Sequence, residues 1–401
     1  MSRSEVLITI LSLAACFLLI SKVSARMRGE ALPATGATGI TAPQEIPEDD
    51  CALNVCVTLT GSTGVGNNFA DTPSGSTPPK EKLFFFRKVT DFLSRSQAVI
   101  TGLETPLISP PALPAERSSR ARFWADRSDM PQALKASGIT AVSLANGHIQ
   151  DFGEPGVVET LSSLAAAGIE RFGVSKDEIA PYTPLRKTFS VGSKRFSLAV
   201  FGASVSNRNR AVPPGSHQVD PLSPAPLANA VAAYKRELPG TYAVVYLYGG
   251  APYSRASIVQ QKQARALVDA GADLVVGYGA RALQEIELYK NKWILYNLGS
   301  FVFTDLGEFQ NRPDAPPFGG VLRIVLTQQG DATIPTLKLY PIDADNLATR
   351  YQPRFLGKKA FGAAYWSFLR KSTIEYNWWL KRQMVPEKDV NGPFIRLTGA
   401  H

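Results

Sequence analysis

The chain is 401 residues long, which is enough for one large α/β domain or two smaller ones. Hydrophobic residues make up 44% and charged residues 19% of the sequence, a globular composition that excludes a disordered or fibrous chain. The formal net charge of +9 predicts an acidic partner. Because the sequence contains no dense Lys/Arg block, we expect that partner not to be nucleic acid.

The N-terminus has the pattern of an export signal. Residues 6–20 form an almost wholly apolar run, with Arg3 before it and Lys22 after it. The run is short for a membrane span, is typical of a signal peptide, and is followed by small residues that a peptidase could cleave after, at Ala25. Cleavage, lipidation of Cys16 and retention as a membrane anchor all remain open.

This pattern divides the chain into a signal or anchor and an exported part. Residues 1–25 are predicted to be the signal peptide or anchor, and residues 26–50, rich in Gly, Ala, Pro and Thr, a flexible tether. The protein is therefore predicted to be extracytoplasmic, in the periplasm or at the cell surface, with the membrane as a partner through its N-terminus. Cys51 and Cys56 could pair there, unless they lie on one extended strand, because a disulfide requires Cα atoms within about 7 Å.

Beyond residue 51, strand and helix patterns alternate along the chain. Strands are predicted at residues 53–60, 98–101, 139–145, 242–248 and 273–276, and helices at 82–94, 154–167, 227–238 and 257–270. Two hairpins are predicted at residues 188–201 and 285–296, followed by strands at 321–327 and, after Pro335, at 336–340. Mixed strands with helices on the outer faces predict a layered α/β sandwich.

The C-terminal part, residues 346–401, is predicted to be a basic and aromatic helical extension of a domain covering residues 51–345. Residues 358–382 place aromatic side chains at near-helical spacing between basic ones; the aromatic residues are Phe361, Tyr365, Phe368, Tyr376 and Trp379. Such a helix could lie on anionic lipid or a polyanion, or it could pack its aromatic face onto the domain.

Several loops that follow predicted strands carry ordered motifs. Residues 102–107 read GLETPL, residues 143–153 read SLANGHIQDFG, and residues 296–303 read YNLGSFVF. Together with residues 57–66, 248–253 and 267–281, these blocks resemble, in the same order, the CapA family of poly-γ-glutamate capsule biosynthesis proteins. The resemblance covers about residues 54–345.

The resemblance implies a four-layer α/β/β/α sandwich of the metallophosphatase-like type. It also implies a role in the biosynthesis or export of poly-γ-glutamate or a similar anionic cell-surface polymer. The implied partners are that polymer and membrane-bound synthetase subunits.

The metal-binding positions of the family pattern are largely replaced in this chain. They are occupied here by Ser62, Gly147, Tyr248, Tyr278, Gly279 and Arg281. Metal sites of this kind need carboxylate, amide and imidazole donors, whereas an arginine presents only N–H donors and would repel a cation. We therefore predict no metal, no cofactor and a pseudoenzyme with a binding or assembly role.

The retained polar residues leave a second hypothesis open. A hydrolase or transferase acting on the polymer would use His148, Glu104 and Asp151 as catalytic residues. The substrate would be bound by donors at the former ligand positions and beside them, namely Arg281, Tyr248, Tyr278, Ser62, Asn146 and Asn297. In a purely structural interpretation, His148 is hydrogen-bonded in place and Asp151 caps the helix that follows.

Overall fold

A computed structural model describes most of the chain beyond residue 48. The described residues are 49–66, 81–110, 124–176, 181–205, 215–304, 315–330, 332–375 and 378–399. The predicted signal segment and all but the last two residues of the predicted tether lie outside the described residues. Where the chain is described, no helix is both long enough and apolar enough to cross a membrane.

Strands outnumber helices in the described residues. The strands, in chain order, are β1 (Val55–Gly64), β2 (Ala98–Leu103), β3 (Leu107–Ile108), β4 (Ala125–Asp126), β5 (Ala141–Ser143), β6 (Glu170–Phe172), β7 (Val174–Ser175), β8 (Leu185–Val191), β9 (Lys194–Ser204), β10 (Gln218–Val219), β11 (Tyr242–Tyr248), β12 (Leu274–Tyr278), β13 (Ile286–Tyr289), β14 (Lys292–Leu295), β15 (Ser300–Phe303), β16 (Phe318–Gln329), β17 (Ala332–Asp343), β18 (Arg354–Phe355), β19 (Met384–Asp389) and β20 (Gly392–Leu397). The helices are α1 (Asp50–Leu53), α2 (Thr90–Ser94), α3 (Met130–Ala136), α4 (Gly153–Ala166), α5 (Pro224–Glu237), α6 (Ile258–Asp269), α7 (Asn346–Thr349) and α8 (Lys358–Glu375). Two 3₁₀ turns cover Lys82–Phe86 and Trp378–Arg382.

The strands form two large mixed sheets. The first runs in the order β19-β20-β17-β16-β1-β2-β5-β6, with β15 paired to the end of β1 and β18 paired to β17. The second runs in the order β13-β14-β12-β11-β9-β8. Strands β1, β2, β5 and β6 are parallel to one another, as are β9, β11, β12 and β14. The carboxyl ends of parallel strands therefore gather at one edge of each sheet, where ligand sites of α/β proteins form.

Three apolar clusters define the layers. One lies between the sheets and combines Leu59 and Ile100 of the first sheet with Val200 and Val244 of the second. The outer face of the first sheet is covered by α2, α3 and α4, and that of the second by α5 and α6. Strand β2 is buried on both faces, with Ile100 pointing to the inner cluster and Val99 to the outer one. The predicted four-layer α/β/β/α sandwich is confirmed.

The cysteines pair where the described chain begins. Cys51 lies on the single turn of α1 and Cys56 on β1, so the chain folds back and their Cα atoms are 5.5 Å apart. A bridge would have been prevented only if both cysteines lay on one extended strand, and they do not.

Asp49 fastens this disulfide-bonded segment to the sheet. Its carboxylate accepts hydrogen bonds from the Cys51 amide and the Arg95 guanidinium, both at 3.0 Å, and lies 3.2 Å from Nη1 of Arg323 on β16. Burial by itself raises the pKa of Asp49, but the Cys51 hydrogen bond and the Arg323 charge outweigh it and hold the pKa below its usual value. We refer to Asp49, Arg95, Arg323 and the Cys51–Cys56 bridge as the N-terminal clasp.

The prediction that residues 346–401 form a helical extension is wrong in part, because β18, β19 and β20 add strands to the first sheet. Strand β17 begins at Ala332, so the prediction that it starts after Pro335 is wrong. Pro335 lies opposite Leu326 of β16, in a part of β17 that does not pair with β20. The N–H that proline lacks is therefore not needed for hydrogen bonds to a second neighbouring strand. Helix α8 buries Phe361, Tyr365 and Phe368 against the cluster between the sheets. Tyr376 lies outside the described residues, as does the side chain of Trp379.

Candidate functional site

Polar residues of both sheets meet at the carboxyl ends of the parallel strands. Ser62 is near the end of β1 and Glu104 directly follows β2, while Tyr248 and Tyr278 are the last residues of β11 and β12. Contacts between the two sets are direct, because the Tyr248 hydroxyl lies 3.5 Å from Oε2 of Glu104. The structure therefore brings together in one region residues of the strand-end motifs, which were candidates to converge because sites in open α/β sheets form at the carboxyl ends of strands.

Glu104 is the buried carboxylate of this region. Its side chain is 1% exposed, and its Oε1 atom has no hydrogen-bond partner among the described residues. The same holds for the fully buried hydroxyls of Ser62 and Thr105. Buried polar atoms without partners are costly, and the hydrogen-bonding capacity of each of these three atoms is not used within the described residues. The sequence motifs did not single out Thr105, although it lies within the GLETPL block.

Asn146 ties two strand ends together. Its Nδ2 donates to the carbonyl of Leu103 at 2.7 Å, and its Oδ1 accepts from the amides of His148 at 2.9 Å and Ile149 at 3.1 Å. Both acceptor positions of the amide oxygen are thus used within the protein. Asn146 positions the loop that carries His148.

His148 and Asp151 form a hydrogen-bonded pair. Nδ1 of His148 lies 3.0 Å from Oδ2 of Asp151, and the two residues are 8% and 5% exposed. The interpretation that Asp151 caps the following helix is wrong, because the N-cap of α4 is Phe152 and no side chain caps it. The carboxylate instead orients the imidazole, an arrangement that occurs in both catalytic and structural histidines.

Tyr278 is enclosed rather than exposed. Its hydroxyl donates to the carbonyl of Ala145 at 2.7 Å, and its ring stacks on Tyr246 with centroids 4.5 Å apart. Burial raises the pKa of Tyr278 well above its usual value, so the phenol stays protonated. Gly102 makes room for this ring, since a Cβ at that position would lie 2.0 Å from it. Tyr246 was missed from the sequence, although it lies two residues before Tyr248 and thus on the same side of β11.

The side chain of Asn297 connects three loops that follow strands of the second sheet. Its Nδ2 donates to the carbonyl of Gly249 at 2.9 Å, and its Oδ1 accepts from the amides of Gly299 at 2.9 Å and Ala280 at 3.2 Å. These bonds hold the turn that leads into Arg281.

Arg281 is the cation of the region and has an unusual backbone. Its φ of 66° lies in the left-handed region, which costs a non-glycine residue roughly 1 kcal/mol. The guanidinium carbon is 3.6 Å from the ring centroid of Phe303, and the carbonyl accepts from the Ser300 amide at 3.1 Å. Such strain persists where the surroundings over-determine the conformation, and it is frequent at functional sites.

The metal centre that the resemblance implies does not fit these residues. Within the described ranges, no group of three or more His, Cys, Asp or Glu side chains is placed to hold a metal ion. The amides of Asn146 and Asn297 hold the backbone, Nδ1 of His148 is directed at Asp151, and Arg281 places a positive charge in the same region. A cation site of the metallophosphatase kind needs several anionic or imidazole donors that converge on one point. This donor set does not provide them.

Comparisons with known proteins give the following matches. A family model described as "Bacterial capsule synthesis protein PGA_cap" matches residues 65–305. The capsule biosynthesis protein CapA of Bacillus anthracis is 26% identical over 226 residues, which cover 55% of this chain and 54% of that protein. A probable polyglutamine synthesis accessory protein of Mycobacterium tuberculosis is 32% identical over 186 residues, covering 43% of this chain and 48% of that protein. The chain thus spans about half the length of these curated relatives.

Among solved structures, a putative 5'-nucleotidase from Staphylococcus aureus in complex with alpha-ketoglutarate aligns at 13% identity. The alignment covers 70% of this chain and 52% of that one, with a TM-score of 0.46.

Proposed function

The chain belongs to the bacterial capsule synthesis protein family, and we propose that it is a binding or assembly protein for an anionic polymer of the poly-γ-glutamate type. The names of the curated relatives concern capsule biosynthesis and polyglutamine synthesis, which supports this polymer class. Membrane-bound synthetase subunits are the protein partners that such a role requires.

Arg281 is the observation that carries the proposal. It provides a cation where family members are expected to carry a metal ligand, and it is held there by a strained backbone and by Phe303. Stacking engages the face of the guanidinium, whereas its N–H donors lie in the plane. Nη1 is buried, so a carboxylate would be bound through the other N–H donors. Half-buried Tyr248 lies at the end of β11, with its hydroxyl 3.5 Å from Oε2 of Glu104. The remaining predicted substrate donors, Ser62, Asn146, Tyr278 and Asn297, are buried and support the site from behind.

We expect Arg281→Ala to weaken binding of oligo-γ-glutamate by about 1.5–3 kcal/mol, as for a lost hydrogen bond to a charged group. The urea midpoint should change little, because Arg281 is only half-buried. Titration calorimetry of the wild type and the variant measures the affinity. Arg186→Ala is the charge-matched control, because Arg186 is exposed on β8. Unchanged affinity together with a lowered midpoint would show that Arg281 has a structural role only.

The His148–Asp151 pair favours one alternative, hydrolysis of the polymer. His148 would take a proton from water as the water oxygen attacks an amide carbonyl, and would return it to the leaving amine, with Asp151 orienting the ring. Products would be a carboxylate and a new amine. Release of amines from oligo-γ-glutamate by the wild type, and its loss in His148→Ala, would replace the binding proposal by this one.

We also propose that residues beyond about 50 are outside the cytoplasm. The apolar run at residues 6–20 supports this, and so does the Cys51–Cys56 disulfide, because disulfides persist in oxidising compartments. We expect both thiols to resist alkylation in acid-quenched cells until a reductant is added, and protease treatment of spheroplasts to degrade the domain. Cysteines that alkylate without reductant, in a domain that protease does not reach before lysis, would contradict export.

A further inference from the structure

Helix α8 has a second side that the domain does not cover. While Phe361, Tyr365 and Phe368 are buried, Trp366 is 59% exposed. It is the one aromatic side chain among the large exposed hydrophobic residues of the described ranges. Along this side, Lys359, Ala363, Trp366 and Arg370 follow one another at helical spacing, and all are exposed. We call these four residues the Trp366 face.

The surroundings of this face are basic. Lys358 is exposed at the start of the helix, and the exposed Lys381 places its Nζ 5.6 Å from the centroid of the Trp366 ring. From residue 358 to residue 371 the sequence contains four Lys or Arg residues and no Asp or Glu. The face is thus an exposed indole within a field of positive charge.

We propose that the Trp366 face docks onto the surface of an anionic phospholipid bilayer. Tryptophan is enriched at membrane–water interfaces, where its amphipathic ring lies among the headgroups, and lysines beside it are attracted to anionic lipids. An interfacial helix with apolar and basic side chains on its outward side has this composition. A polycarboxylate would use the charges but has less need of an exposed indole, so the bilayer explains both features.

The described chain begins within about one strand length of α8, which is consistent with both lying near the membrane surface. The Tyr365 hydroxyl donates to the carbonyl of Met384 at 3.0 Å, at the beginning of β19. The turn after β19 contacts Asp49, the first described residue, through Nδ2 of Asn391. One strand of six residues, roughly 17–20 Å long, therefore separates α8 from the point where the N-terminal tether joins the domain. This step alone rests on the proposed export and on membrane contact of the N-terminus.

The test measures docking of the domain separately from attachment by the apolar run. The full chain is bound to vesicles of zwitterionic phosphatidylcholine, or of the same lipid with phosphatidylglycerol, both containing brominated acyl chains that quench nearby tryptophans. The quenching due to Trp366 is the difference between the wild type and Trp366→Phe, since the other tryptophans are common to both. The N-terminal run is also common to both and cancels.

We expect this difference only in the anionic vesicles, and we expect high salt to remove it. Lys358→Gln with Lys359→Gln should reduce the difference severalfold, whereas Arg186→Gln with Arg195→Gln, which remove the same charge from β8 and β9, should leave it unchanged. Arg281→Ala should also leave it unchanged, which separates this proposal from the polymer site.

Three outcomes would overturn the proposal. These are no Trp366-dependent quenching in anionic vesicles, equal quenching in zwitterionic ones, and loss of quenching in the Arg186/Arg195 control. If soluble poly-γ-glutamate shifts the Trp366 emission while anionic vesicles do not, the face is a polymer-binding surface and the bilayer assignment is wrong.

Discussion

Replacing Arg323 with methionine is expected to lower the free energy of unfolding by about 3–5 kcal/mol. Arg323 is 1% exposed on β16 and donates to the Phe92 carbonyl at 2.7 Å and to Asp49 at 3.2 Å. Its guanidinium carbon is also 3.5 Å from the centroid of the Phe92 ring. Methionine fills much of the same volume but provides no donor, so the buried carboxylate of Asp49 loses the cation nearest the core.

Urea unfolding of the two proteins measures this loss. Arg354→Met is the matched control, because Arg354 also pairs with an aspartate, Asp343, but its side chain is 55% exposed, and we expect it to cost less than about 1 kcal/mol. The double variant Arg323→Met with Asp49→Asn should cost less than the sum of the single changes, since it removes both charges. A cost below 1 kcal/mol for Arg323→Met would mean that the N-terminal clasp does not fasten the disulfide-bonded segment to the sheet.

Replacing Gly102 with alanine is the second large effect, with an expected loss of about 3 kcal/mol. The added Cβ would lie 2.0 Å from Cε2 and 2.3 Å from Cδ2 of Tyr278. That ring cannot move aside easily, because it is fully buried, stacked on Tyr246 and bonded to the Ala145 carbonyl. Relief of the clash would require shifts of packed strands rather than of a flexible side chain.

The contact is isolated by repeating Gly102→Ala in a Tyr278→Ala background, where it should cost less than about 1 kcal/mol. Gly362→Ala is the control for the substitution itself. Gly362 lies within α8 with no atom close to its added Cβ, so alanine there should stabilise by about 0.5–1 kcal/mol. An equal cost of Gly102→Ala in both backgrounds would show that Tyr278 is not the obstacle.

The layout of the fold could be predicted from local patterns. The hairpins of β8 with β9 and of β13 with β14 were predicted because a turn signal separates two apolar runs, and the structure pairs them. The strand-end loops were predicted to converge because parallel strands end at one edge of a sheet. Contact between Tyr248 and Glu104 supports that expectation.

The use of each side chain could not be predicted in the same way. Tyr278 and Tyr248 both end strands and were both expected to be substrate donors. Only the packing of the two sheets shows that the Tyr278 hydroxyl donates to the carbonyl of Ala145, 133 residues earlier in the chain. Tyr248, by contrast, stays half-buried. Likewise, α8 was predicted with two alternative uses of its aromatic side chains, and the structure buries Phe361 and exposes Trp366 five residues later.

The sequence by itself determined the α/β class and the alternation of the main strands and helices between residues 53 and 340, which follow from periodicity and residue chemistry, both local properties. The family followed from the order of the motifs that resemble it. The tertiary structure alone decided the Cys51–Cys56 bridge, the clasp around Asp49, the pairing of Asp151 with His148 and the enclosure of Tyr278. Each of these depends on the close approach of particular atoms, and side-chain packing and backbone turns set that approach at a scale of ångströms that residue patterns do not encode.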